Sequence, residues 1–227
     1  TDLPQMDTGL ELGSLAIEVE GVDSETWVES YKEFFKPHRV TGPLVIKPSW
    51  AEWEEQEGDK IIEIDPGSAF GTGAHASTVL CLKQIEQNIT PGMSMLDIGC
   101  GTGILSIGAA LLGAARVDAV EIDPHAVSVA KDNVKRNHLS GTVKVRHGDL
   151  AQGITAQYDM VVANIIADVI VRLAPDIPGL LKLGGVFIGS GIIEGRVSDV
   201  VDALRAQGLS AEIYGMEEWA VVVGRRG

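Results

Sequence analysis

LDIGCGTG, residues 96–103, decides how this chain of 227 residues is read. Asp97 closes an apolar strand that starts near residue 93, and Gly99, Gly101 and Gly103 follow before a helix opens at Ile104. A strand, a glycine turn and a helix form a ligand-binding corner of an open α/β sheet, where side chains in the turn would block the ligand. A dinucleotide site spaces its glycines G-x-G-x-x-G. Here the third of those positions is Ile104, and the spacing is G-x-G-x-G. A pyrophosphate would also sit beside the Asp97 carboxylate, a costly like-charge contact. S-adenosylmethionine carries a sulfonium and an ammonium and no phosphate, so an acid there is favourable. The loop reads as a site for that methyl donor, with Asp97, Gly99 and Gly101 as its cofactor residues.

Strands and helices alternate outward from this corner. Strands are expected at 61–64, 93–98, 116–121, 142–147, 157–163, 185–190, 209–214 and 218–224, and helices at 75–88, 104–113, 124–138, 166–181 and 194–207. That alternation predicts an α/β fold with a mostly parallel sheet and right-handed crossovers; joined to the methyl-donor loop, it is read as a Rossmann-like class I methyltransferase, a seven-stranded sheet with helices on both faces. No helix separates the last two strands, so they are expected to pair antiparallel at one edge. Residues 60–227 form the donor-binding catalytic domain in this reading. Residues 1–59 form a front segment and linker, with a lone strand near Leu15–Val19, a helix near 24–35 capped by Ser24, a short strand in PLVIKPSW (43–50) and a charged loop at 51–59.

The ends of the other strands supply further candidates, because open α/β sheets bind ligands at their carboxyl edge. Glu121, in AVEIDP, is placed to accept both ribose hydroxyls, whereas Asp123 suits the helix start at Pro124. Asp149, in RHGDL, either accepts from the adenine amine or caps a turn. His147 beside it reads as a strand residue. Asn164 ends the strand in MVVANIIA; its carbonyl can accept from an incoming amine and hold the nitrogen lone pair toward the methyl group, or it can cap the helix that follows. The loop DPGSAFGTGAHAST, residues 65–78, has three glycines and several hydroxyls around Phe70, a composition suited to folding over a ligand.

Charge and cysteine content bound the partners. The net charge is −14, with 5 basic and 14 acidic side chains in residues 1–60 and 13 and 18 in the remainder. Such a surface repels phosphate backbones, so direct nucleic-acid binding is not expected, while a basic protein partner is tolerated. Cys81 and Cys100 show neither metal nor disulfide spacing, which suits a reducing cytoplasm. The apolar stretch 160–193 is interrupted by Asn164, Asp168, Arg172, Asp176 and Lys182, so it reads as core and no membrane association is expected. A monomer is the expected state.

Taken together, LDIGCGTG, DPGSAFGTGAHAST and VANIIA, with FFKPHR, KPSW and the terminal EEWAVVVGRR, resemble the ribosomal-protein lysine methyltransferase family called PrmA. The resemblance runs from about Trp27 to the end. It implies methylation of lysine side chains and the N-terminal amine of the stalk-base protein numbered eleven of the large ribosomal subunit. It further places the cofactor threonine at Thr78, the loop glycine at Gly99, the ribose acid at Glu121 and the family asparagine, the expected catalytic residue, at Asn164, with Phe70 covering the donor. Family members usually have His-Pro-Thr-Thr where this chain has His75-Ala76-Ser77-Thr78, a leucine where Ile166 stands and an aspartate where Glu121 stands. About 25 residues precede Trp27, too few for the small ferredoxin-like domain that recruits the substrate in the family, so the front segment reads as its remnant. Three other readings stand beside this one: a small-molecule methyltransferase of the same fold, a dinucleotide-dependent oxidoreductase, and a binding module without turnover. An amide methyltransferase is disfavoured, because Asn164-Ile165-Ile166-Ala167 lacks the Asn-Pro-Pro-Tyr motif.

Overall fold

The computed structural model describes residues 35–65 and 69–227. The strand expected at Leu15–Val19 and, apart from Phe35, the helix expected near 24–35 lie outside the described residues. Ten strands and six α-helices follow in chain order among the described residues: β1 (His38–Arg39), β2 (Leu44–Pro48), β3 (Lys60–Ile64), α1 (Ala76–Asn88), β4 (Ser94–Ile98), α2 (Ile104–Leu111), β5 (Arg116–Glu121), α3 (Pro124–Arg136), β6 (Val143–His147), β7 (Tyr158–Asn164), α4 (Ala167–Leu173), α5 (Ile177–Leu180), β8 (Leu181–Ile193), α6 (Val197–Ala206), β9 (Glu212–Met216) and β10 (Trp219–Arg225).

The main sheet has seven strands in the order β6-β5-β4-β7-β8-β10-β9. The pairs from β6 to β8 are parallel, and β10 pairs antiparallel with both β8 and β9. The last two strands thus pair antiparallel at one edge, as the missing helix between them requires. Strand alternation sends side chains to two separate cores. Met95, Val117, Met160, Val162 and Ile188 meet α1 and α2 on one face. Leu96, Ile98, Val161, Ala163 and Phe187 meet α4, α5 and α6 on the other.

Two elements differ from their sequence reading. The helix expected over 166–181 is divided: α4 ends at Leu173, a 3-10 turn covers Ala174–Asp176, and α5 is a single turn. Pro175 and Pro178 each remove a backbone donor, which prevents one continuous ladder. Residues 35–59 pack in one compact unit with residues 60–227, since that unit runs from Phe35 to Gly227. There β2 pairs in parallel with β3 across the expected boundary at residue 59, and Leu44, Ile46, Ile62 and Ile64 are wholly buried in the core beneath α1 and α2. Those four side chains alternate along their strands, and that buried stripe outweighs the acidic composition that groups them with the front segment.

Candidate functional site

The carboxyl ends of β4, β5 and β7 open onto a cavity of about 490 Å³, a volume ordinary for a small-molecule site. Phe70, Thr78, Gly99, Gly101, Glu121, Asp149 and Asn164 all line it. The sequence reading therefore brings seven of its eight residues to one place.

Asp97, the eighth of the residues expected to serve the cofactor, stands behind them. It is wholly buried and absent from the cavity lining. Alternation along β4 turns Met95 and Asp97 toward the face covered by α2, where Ser106 Oγ donates to Asp97 Oδ2 at 2.6 Å. Its Oδ1 is buried and has no hydrogen-bond partner among the described residues. Burial pushes this carboxyl up to about 6, opposed by the Ser106 hydrogen bond and reinforced by the negative charge of Glu121.

The glycine turn is built by close approach. Gly101 adopts φ +52°, and a Cβ there would stand 2.4 Å from the Phe70 carbonyl oxygen. A side chain at Gly99 would meet Ile165 Cγ2 at 2.7 Å. Gly99 N and Cys100 N both donate to Val120 O, which fastens the turn to the end of β5. Glu121 then joins two loops: its Oε2 accepts from Gly101 N at 2.9 Å, and its Oε1 accepts from Ile122 N and Asp123 N at 2.8 and 3.0 Å. Asp123 caps α3 through His125 N at 2.8 Å, the role its position predicted. Asp149 lines the cavity, and its Oδ2 accepts from Gln152 Nε2 at 3.0 Å. His147 lies outside the cavity lining, its Nε2 hydrogen-bonded to Ile122 O at 2.9 Å.

Across the cavity, Asn164 closes β7 beside Ser190 of β8. Its Nδ2 donates to Thr78 Oγ1 at 3.4 Å, while its Oδ1 is buried with no partner among the described residues. Asn164 does not cap α4, whose N-cap is Ile166 with no side-chain bond. Beside it β8 carries a bulge, where the register with β10 shifts between Ala220 and Val222. Ser190 Oγ stands 3.2 Å from both Ser77 O and Ala220 O, which ties this corner to α1 and β10.

His75 caps α1, with Nδ1 accepting from Ser77 N and lying 2.8 Å from Ser77 Oγ. Its ring packs edge-on against Phe70, with centroids 5.7 Å apart, and against Trp219 at 4.7 Å. Phe70 is 64% exposed at the cavity mouth. Trp219 escaped the sequence reading because EEWAVVV is a plain strand pattern. Ile122 and Ile166, which the sequence reading did not assign to the site, leave large exposed apolar side chains in the cavity lining. Cys100 also lines the cavity, its thiol kept neutral by burial and by the neighbouring acids Asp97 and Glu121. Among the described residues, no group of His, Cys, Asp or Glu could hold a metal ion, and no helix is long and apolar enough to cross a membrane.

Comparisons with known proteins agree with this geometry. The family model described as ribosomal protein L11 methyltransferase (PrmA) matches residues 3–227. The ribosomal protein L11 methyltransferase of Heliobacterium modesticaldum is 48% identical over 89% of this chain and 64% of its own length. That of Alkaliphilus metalliredigens is 44% identical over 96% of this chain and 69% of its own length. The chain thus spans about two thirds of these curated relatives. Among solved structures, the ribosomal protein L11 methylase of Lactobacillus delbrueckii subsp. bulgaricus superposes with TM-score 0.79 at 28% identity, covering 85% of this chain and all of that one. A T. thermophilus 16S rRNA N2 G1207 methyltransferase, solved with AdoMet and guanosine, shares the fold at TM-score 0.61 and 22% identity, covering 70% of this chain and 45% of that one.

Proposed function

Because the chain belongs to the ribosomal protein L11 methyltransferase family, we propose that it is the catalytic part of an S-adenosylmethionine-dependent enzyme that methylates lysine side-chain and N-terminal amines of that ribosomal protein. The observation that carries the chemistry is Asn164: its amide nitrogen is tied to Thr78, and its carbonyl oxygen is left without a partner at the carboxyl end of β7.

The residues present fit the donor. Gly99 and Gly101 stand where any side chain would collide with neighbours, so the backbone itself forms the wall against which a ligand rests. Glu121 accepts three backbone N–H bonds, one on Oε2 and two on Oε1, so of its roughly four lone-pair sites one on Oε2 is left for a ribose hydroxyl. Asp149 is the candidate partner of the adenine amine, Thr78 lines the same cavity, and Phe70 covers its mouth. Buried Asp97 contributes negative potential beneath the glycine turn that favours a cationic donor over a dinucleotide.

The donor supplies an electrophilic methyl group on sulfur. Everything else in the reaction is assigned to positioning by the chain. Asn164 Oδ1 accepts an N–H of the incoming amine and so aims the nitrogen lone pair into the cavity. A lysine amine is protonated near pH 7, so the rate is expected to rise with pH toward the ordinary lysine value. His75 is committed to capping α1 and is not assigned as the base. A basic protein substrate suits the chain's charge of −14, and the two free, buried cysteines suit the reducing cytoplasm proposed as its compartment.

The test is mass spectrometry of unmethylated ribosomal protein L11 incubated with the donor and the enzyme, wild-type or Asn164→Ala. Methyl groups on amines with wild type, and a large fall with the variant, support the reading. Equal transfer by the variant removes Asn164 from the mechanism. Transfer to a low-mass acceptor in place of the protein moves the substrate class.

A further inference from the structure

Two asparagines one turn apart, Asn133 inside α3 and Asn137 at its C-cap, make similar bonds to the end of β3 and the residue beyond it. Asn137 Oδ1 accepts from Glu63 N at 2.9 Å, and its Nδ2 donates to Glu63 O at 2.7 Å. Asn133 Oδ1 accepts from Asp65 N at 2.9 Å, and its Nδ2 donates to Asp65 O at 3.2 Å. Both amides therefore satisfy backbone groups at and just beyond the end of β3, which pairs with β2 alone. Each makes one further bond: Asn137 Nδ2 donates to Asn133 O at 2.8 Å, and Asn133 Nδ2 donates to Thr102 O, in the glycine turn, at 3.0 Å.

Thr102 is the second half of the device. It is wholly buried, its N donates to Phe70 O at 3.0 Å, and its Oγ1 donates to Gly71 O at 2.8 Å. The loop that covers the cavity is therefore fastened to the glycine turn by Thr102, and Thr102 is fastened to α3 and to Asp65 by Asn133. One turn earlier on α3, Ala130 backs the same segment, since a Cβ on Gly103 would lie 3.4 Å from Ala130 Cβ. Asn133 is 1% exposed and does not line the cavity.

We infer that Asn133 is a positioning residue for the donor site, setting donor affinity through Thr102 by holding the Phe70–Gly71 segment against the glycine turn. This rests on the proposed donor site. Asn137 supplies the control, because its three side-chain bonds go to Glu63 and to Asn133 O and none reaches the glycine turn.

The experiment is isothermal calorimetry of S-adenosylmethionine with wild type, Asn133→Ala, Asn137→Ala and Thr102→Val, with a melting curve for each. Absence of donor binding by wild type would sink the donor reading itself. Given binding, Asn133→Ala is expected to raise Kd about tenfold relative to Asn137→Ala, the worth of one or two buried hydrogen bonds. Its kcat at saturating donor is expected to stay within about twofold of wild type, as a loss of binding alone requires. Thr102→Val is expected to raise Kd about threefold or more with the fold retained. Equal Kd values for the two asparagine variants overturn the inference. If Asn133→Ala shows no cooperative melt, Thr102→Val decides alone, and an unchanged Kd there overturns it.

Discussion

The side of the cavity proposed for the donor and the Asn164 side are assembled in different ways. The donor side comes from neighbouring chain: Gly99, Gly101 and Glu121 lie on two adjacent strand ends, joined by backbone donors on a carboxylate. The Asn164 side is gathered from α1, β7, β8 and β10, and its contacts join residues 75–78 to residues 164, 190 and 219–220. The first is fixed by what cannot be present, namely side chains at two glycines. The second is fixed by what packs against it. One expects the donor side to be sensitive to added atoms and the Asn164 side to lost ones.

The sharpest way to break that contrast is Gly101→Ala. Its Cβ would stand 2.4 Å from the Phe70 carbonyl and hold φ +52°. Donor Kd should rise by about 100-fold, close to 3 kcal/mol, through displacement of the loop. A calorimetric Kd near wild type would show that the turn yields easily. On the opposite side, Asn164→Ala should lower kcat by about 30-fold, roughly 2 kcal/mol, with donor Kd changed less than about threefold. Single-turnover rates measured beside the calorimetry distinguish the two losses.

Asp97→Asn is expected to act with the opposite sign on stability. Burial raises this carboxyl from its ordinary 3.8 to about 6. Below the lower value both folded and unfolded chains are protonated, and above the higher both are ionised. Between them, rising pH ionises the unfolded chain first and draws stability away from the fold. The asparagine removes that cost, so its unfolding free energy near pH 7.5 should exceed that of wild type by about 1–3 kcal/mol. The two should converge as pH falls through the ordinary carboxylate range, and urea titrations across that window would reveal it. A variant less stable than wild type near pH 7.5 would mean that the unpaired Oδ1 has a partner that matters. The smallest effect belongs to His75→Ala, which loses the α1 cap and two ring contacts. Its stability should fall by about 1 kcal/mol, measured by thermal melting.

Much of this molecule is legible in its residues. The strands near 94–98, 116–121, 143–147 and 158–164 and the helices after them follow from alternation and helical spacing, both local properties. The glycine turn and the acid at the end of the next strand follow from a short motif. The place of Asn164 at the cavity follows from a polar side chain that ends an apolar strand. The breaks at Pro175 and Pro178 were also present in the sequence, but the apolar run of 160–193 concealed them.

The sequence by itself determined the order of the elements, the sheet's class and the residues that reach its carboxyl edge, because each depends on backbone period and on which side chains are apolar. Tertiary structure alone decided that Asp97 lies behind the cavity wall, since alternation along β4 acquires meaning only once α2 covers one face. It alone placed Trp219 on His75, and Asn133 on Thr102 and Asp65. Those contacts join residues from distant parts of the chain, and no local pattern encodes a bond whose two partners meet only after the sheet and its helices have packed.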